Sequence, residues 1–91
     1  MLEVDILDEA KEFLKSLPEK HEYQIIRKIL FLAQHPHPPT SKQLKGFGHL
    51  YRLRSGKYRI VYFIDGDVLK IPLIDTRNDD TIYRRLRNIF T

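Results

Sequence analysis

The 91-residue chain predicts an α+β fold: an N-terminal strand and a helical hairpin packed on one face of a small antiparallel sheet, followed by a short C-terminal helix. Three observations carry that prediction. Apolar residues recur at helical spacing between about 10 and 33. They alternate with period two from about 49 to 74, and two Gly-containing dipeptides divide that stretch into three strands. The sheet is therefore expected to be a three-stranded meander joined by the N-terminal strand.

Each element has its own local reason. Leu2, Val4 and Ile6 alternate with Glu3 and Asp5, which marks a short strand. From Asp8 the spacing becomes helical through Ala10, Phe13, Leu14 and Leu17, with Asp8 as N-cap and Pro18 as the stop. Tyr23, Ile26, Ile29, Leu30 and Ala33 form the stripe of a second helix, flanked by Ile25 and Leu32. The connection near Pro18–Lys20 is short, so the two helices make an antiparallel hairpin. HPHPPTSKQ (35–43) is a loop, because its three prolines interrupt regular hydrogen bonding. His35 and His37 lie there with no nearby Cys and no third ligand, so they are loop residues and no metal or other cofactor is expected.

Ser55-Gly56 and Asp65-Gly66 are two-residue turns that set strands at about 49–54, 57–64 and 67–74. Pro72 falls inside the third strand, where it cannot donate to the ladder. Either that strand bulges there or the N-terminal strand pairs with it only partway. In the tail, Ile82, Leu86 and Ile89 or Phe90 are helically spaced behind Asp79 or Asp80 as cap.

At this length one domain spanning 1–91 is expected. No repeat divides it, no apolar run approaches the ~20 residues that cross a bilayer, and the first charges are acidic, unlike a signal peptide. With no cysteine, neither disulfides nor thiolate metal sites are available, and a cytoplasmic location follows as the expectation. Residues 1–41 carry five Lys/Arg against seven Asp/Glu; residues 42–91 carry eleven against five. The positive charge belongs to the second half, as when one surface meets a polyanion.

The turns decide which residues share a face. With Ser55-Gly56 as the loop, Arg54 lies opposite Lys57 and Arg52 opposite Arg59. Tyr51, Leu53, Tyr58, Ile60, Tyr62 and Ile64 then share the other face, and the second turn adds Leu69, Ile71 and Leu73 to it. The reverse face gathers Arg52, Arg54, Lys57 and Arg59, with Lys70 on the next strand. Like charges directly opposite cost up to about 1 kcal/mol a pair. One reading is a solvated face whose arginines splay into water. The other is a surface built to receive phosphates, favoured because these strands supply no acidic partner.

The order strand–helix–helix–loop, then LKG, then LYRLRSGKYRIVYFIDGDVLKIPLI, then TRNDDTIYR resembles the RelE/ParE toxin superfamily, and most closely its RelE branch. The resemblance covers essentially the whole chain. It implies the toxin of a toxin–antitoxin pair, a ribosome-dependent endoribonuclease that cuts mRNA without metal. The mRNA 2′-hydroxyl attacks its own 3′ phosphate, leaving a 2′,3′-cyclic phosphate and a 5′-hydroxyl. Matched residue by residue, the implied catalytic positions are Arg52, Arg54, Arg59, Arg77 and Tyr83. Lys45, Lys57 and Lys70 are the expected substrate-binding cations, with His49 as a reserve acid–base candidate. The implied partners are an acidic, helical RelB-like antitoxin, the ribosome and mRNA, and no membrane.

Fixed guanidinium groups suit charge that builds on phosphoryl oxygens, while Tyr83 could stack a base or take the 2′-hydroxyl proton. The chain departs from its relatives in two places. Many RelE-type toxins carry lysines at positions 52 and 54, whereas arginine does not give up its proton. Asp75 precedes Arg77 where relatives have a glycine and a basic residue, so it either orients Arg77 or weakens phosphate binding. Two other readings stay open: a ParE-like toxin that poisons gyrase by binding, and a non-catalytic RNA- or ribosome-binding domain. Tyr83 has its own alternative, as an aromatic that packs the C-terminal helix on the sheet.

Overall fold

The computed structural model describes residues 1–76 and 78–90, excepting the side chain of Phe90. The chain runs β1 (Glu3–Ile6), α1 (Asp8–Lys15), α2 (Glu19–Gln34), β2 (Lys42–Gln43), β3 (Tyr51–Ser55), β4 (Tyr58–Asp65), β5 (Val68–Asp75) and α3 (Asp79–Phe90). The sheet order is β1-β5-β4-β3-β2, with β1 parallel to β5 and the other pairs antiparallel. This is the expected α+β architecture with one more strand. Lys42 and Gln43, read as loop, pair with Arg52 and Tyr51. They lie beyond the last proline, so their N–H groups are free to cover the otherwise open edge of β3.

Helix ends differ in detail from expectation. Leu7, not Asp8, is the N-cap of α1; its N–H is already bonded to Ile71 O, and Asp8 begins the helix in the acidic first turn. Pro18 sits at the N-cap of α2, where its carbonyl takes the N–H groups of His21 and Glu22. On α2 the buried stripe is Ile25, Ile29, Leu32 and Ala33, whereas Tyr23 and Leu30 of the anticipated stripe are exposed. The helical spacing is right but the stripe is rotated, since α2 must reach both β1 and β3.

Both hairpins turn one residue later than expected. Ser55 pairs with Tyr58 and Asp65 with Val68, so Gly56-Lys57 and Gly66-Asp67 are the loops. Gly56 and Gly66 have φ of 59° and 60°, which places glycine first in the turn, as a II′-type loop requires. Moving a turn by one residue shifts every pair by two and leaves the faces unchanged. Arg54 therefore opposes Arg59, not Lys57, and Arg52 opposes Val61, yet all three arginines keep their common face.

At Pro72 both anticipated solutions occur. β1 pairs only with Val68–Ile71, and Ile71 and Pro72 together stand against the single residue Tyr62 as a bulge. Beyond the bulge the parity of β5 reverses. Leu73, expected on the face with Leu69 and Ile71, turns to the opposite side, and Ile74 takes its place. Two cores result. One lies under α1 and α2 and contains Ile25, Ile29, Leu32, Ile60, Tyr62, Leu69 and Ile74. The other lies under α3 and contains Leu44, Leu50, Val61, Leu73, Ile82 and Leu86.

Tyr62 also anchors the proline loop, its hydroxyl donating to Pro36 O at 2.8 Å. Burial pushes this phenol above its ordinary value, a rise partly opposed by the Ser41 side chain.

Candidate functional site

The face that carries the arginines is not open to solvent along its length. Ile82 and Leu86 of α3 are fully buried against it, each contributing about 1.5–3 kcal/mol of burial. A polar clasp holds the other side of the helix. Arg85 bonds Glu9 of α1 at 2.7 Å and also the buried carboxylate of Asp75. Asp75, expected either to orient Arg77 or to weaken phosphate binding, pairs with Arg59 in the ladder; its Oδ1 accepts the Thr76 N–H and its Oδ2 meets Arg85.

At the N-terminal end of α3 the helix meets the arginines. Asn78 caps it, its Oδ1 accepting the Thr81 N–H at 3.0 Å and the Thr81 hydroxyl at 3.1 Å. The residue after the cap, Asp79, is thereby free of capping duty. Its Oδ1 lies 3.3 Å from Arg52 Nε and 3.3 Å from Arg59 Nε. Arg52 is nearly buried, because β2 covers its strand on one side and α3 lies above it. Arg59, one strand over, stands beside Asp75 in the ladder. The two guanidinium groups converge on a single carboxylate oxygen, a cradle for an oxyanion.

The other expected residues divide sharply. Arg54 is exposed across the ladder from Arg59, at the rim of the cradle. Lys57 lies in the turn, its ammonium 5.6 Å above the Tyr58 ring. Lys70 shares the face but sits further along β5, paired with Asp65 at 3.7 Å, so the fold does not bring it to the arginines. His49 packs edge-on to Phe63 at 5.4 Å. Arg77 lies outside the described residues.

Tyr83 is one helical turn beyond Asp79 on α3. It is half-buried, its ring is stacked 6.0 Å from Phe47, and its hydroxyl accepts the Lys45 N–H at 2.7 Å. Its packing role, one of the two readings open from sequence, is therefore real. Lys45, Asp80, Tyr83, Arg84 and Arg87 line an open cavity of about 500 Å³ beside it. The site is thus a track along α3, from the Arg52–Arg59 cradle to the Tyr83 cavity.

Sequence reasoning missed Asp79 as a member of the site, taking it only as a possible cap. It also missed Arg84, Arg85 and Arg87, whose clustering in RRLR is visible in the sequence but whose separate directions are not. A helical-wheel projection places Asp79, Tyr83 and Arg87 on one stripe, which is the signal that was available.

The family pattern described as the ParE toxin of type II toxin–antitoxin systems, parDE, matches residues 4–83. Comparison with curated protein sequences finds no match. Among solved structures, the chain is similar to an Escherichia coli RelE toxin mutant in the free state, with TM-score 0.79 and 19% identity over 99% of this chain and 98% of that one. It is also similar to the toxin–antitoxin complex RelBE2 of Mycobacterium tuberculosis, with TM-score 0.73 and 24% identity over 84% of this chain and 98% of that one. The intact E. coli RelBE complex gives TM-score 0.72 and 24% identity over 86% and 99%. These likenesses establish the shared fold.

Proposed function

We propose that this chain, which belongs to the ParE toxin family of type II toxin–antitoxin systems, is a metal-independent endoribonuclease that cleaves mRNA on the ribosome. The observation that carries the reading is the convergence of Arg52 and Arg59 on one point, 3.3 Å from each, on a surface with further cations at Arg54, Lys45 and Arg84. In-line attack by a 2′-hydroxyl builds charge on non-bridging phosphoryl oxygens. Two guanidinium groups held by a sheet stabilise that charge without reorganising. Tyr83 and Phe47 offer an aromatic surface for a neighbouring base. Lys45 and Arg84 grip flanking phosphates, and Arg77, directly before the α3 cap in sequence, is the remaining cation for the leaving oxygen.

The partner that neutralises it is an acidic, helical antitoxin. α2 supports that choice with an outward strip of Tyr23, Leu30 and Phe31, which are 63%, 45% and 46% exposed. Arg27 and Lys28 border the strip, and with Gln24, Phe31 and Ser55 they line a cavity of about 480 Å³. An amphipathic helix with apolar anchors and acidic flanks fits this surface.

A ParE-like gyrase poison that acts by binding is the second reading. It is favoured by the family match and by the engagement of the Tyr83 hydroxyl with Lys45 rather than with the cradle. Translating ribosomes with mRNA, incubated with the chain or its Arg59→Ala and Arg77→Ala variants, separate the two. Cleavage by the parent and its loss in both variants support the nuclease. Intact mRNA together with gyrase–DNA breaks would sink it.

A further inference from the structure

We propose that Asp79 is a resident counter-anion of the Arg52–Arg59 cradle, which an RNA phosphodiester must displace, so that the first turn of α3 gates the site with one side chain while the helix stays docked. The inference rests on the reading of the cradle as an RNA phosphate site.

The geometry of the three groups is that of a place-holder. Asp79 Oδ1, Arg52 Nε and Arg59 Nε are all buried, and none has a hydrogen-bond partner among the described residues. Each guanidinium is near the carboxylate oxygen, but neither Nε–H makes a hydrogen bond to it. The Arg52 side chain is nine-tenths buried, so water cannot make up the deficit. A phosphodiester presents two non-bridging oxygens with separate lone-pair directions. Seated between the two arginines it can give each Nε–H its own oxygen, whereas Asp79 as placed brings the single oxygen Oδ1 near both.

Asp79 is also free to leave. Asn78 holds the cap, and Ile82, Leu86 and the Arg85 clasp hold the helix, so none of the anchors of α3 depends on Asp79. Its side chain is 43% exposed, and rotation about χ1 carries the carboxylate into solvent without moving the backbone. The closed state discriminates between ligands. A small free anion meets a cradle already neutralised in part. A phosphate within an RNA strand arrives with extra contacts at the Lys45–Tyr83–Arg84 cavity, and their binding energy offsets the displacement.

The test uses the full chain and a fluorescent 2′-O-methyl tetranucleotide, which cannot cleave itself, at low salt and without ribosomes. Asp79→Asn is expected to bind it about tenfold more tightly than the parent. The same substitution in an Arg59→Gln background should bring no gain, because the counter-anion then has lost half of its cradle. Should Asp79→Asn fold poorly, the parent chain still answers. The Nε–H resonances of Arg52 and Arg59 should shift together as the tetranucleotide is added, and unmoved resonances at saturation overturn the gate. Equal or weaker binding by folded Asp79→Asn also overturns it. So does loss of ribosomal cleavage in that variant with no gain in affinity, which would mark Asp79 as a proton acceptor instead. Because binding is read without ribosomes, a parent chain that never cleaves mRNA defeats the nuclease reading and leaves the gate standing.

Discussion

The two faces of the sheet are built differently from the same alternating strands. Under α1 and α2, Ile60, Tyr62, Leu69 and Ile71 meet Ile25, Ile29 and Leu32 in a core that the hydroxyls of Tyr58 and Tyr62 leave to bond His21 and Pro36. Under α3, an apolar cluster of Val61, Leu73, Ile82 and Leu86 shares the face with Arg52, Arg59 and Asp75. The first face has one task, to hold the fold. The second holds a helix and keeps two guanidinium groups aimed at one point, and it tolerates buried polar atoms without hydrogen bonds to do so. Unsatisfied atoms of this kind cost about 1–3 kcal/mol each, a burden natural sequences concentrate at sites that act on something.

The largest expected difference between the faces is in stability. Ile60→Ala opens the first core and should cost about 3–5 kcal/mol in urea unfolding; Leu86→Ala should cost about 2–3 and expose chiefly the α3 amides to hydrogen exchange. Equal costs with global exchange in both would mean that the second face is no separate unit.

Arg59→Ala inverts the order when activity is measured. It should lower ribosomal cleavage by about 10²–10³-fold, the loss typical of one oxyanion-stabilising donor, while changing unfolding free energy by roughly 1 kcal/mol or less. A variant that loses stability and activity in proportion would reduce the cradle to a packing feature. Arg85→Ala tests the clasp, since it removes the Arg85 guanidinium from both the buried Asp75 carboxylate and Glu9. A destabilisation of about 2 kcal/mol, lessened when Asp75→Asn is added, is expected from a double-mutant cycle.

Phe31→Ala, far from both faces, should weaken antitoxin capture by about 2 kcal/mol in calorimetry and leave cleavage unchanged. Undiminished capture would move the antitoxin surface off α2.

The smallest effect belongs to Tyr62. Unfolded, its phenol ionises near the ordinary 10.0; folded, burial raises that value. The stability from this shift is fully present below pH 10 and is lost as pH rises through the folded-state pKa. Tyr62→Phe should cost about 1 kcal/mol at pH 8 through the lost bond to Pro36 and should flatten the alkaline decline. A parent chain equally stable at pH 8 and pH 11 would contradict the shift.

Much of this molecule is legible in its residues. Alternation from Tyr51 to Ile64 separates apolar from basic side chains whatever the register, because sliding a hairpin by two pairs preserves both faces. Glycine as the residue able to take positive φ places the turns to within one position. Arg52, Arg54 and Arg59 were therefore assignable to one surface from sequence, while the identity of each facing pair was not. Lys70 lies further from the arginines than the expected cluster implied, because the second turn comes one residue later and sets it opposite Phe63.

What tertiary structure alone decided has a common cause: contacts between residues far apart in the chain, whose energies no local pattern records. Pro72 announced an irregularity, but only the packed sheet made it a bulge that turns Leu73 to the second face and thereby gives α3 a floor. The helical spacing of Ile82 and Leu86 foretold an amphipathic helix without saying which face it would cover. Once it docks there, Asp79 falls between Arg52 and Arg59, and a surface that reads as uncompensated positive charge acquires its own anion.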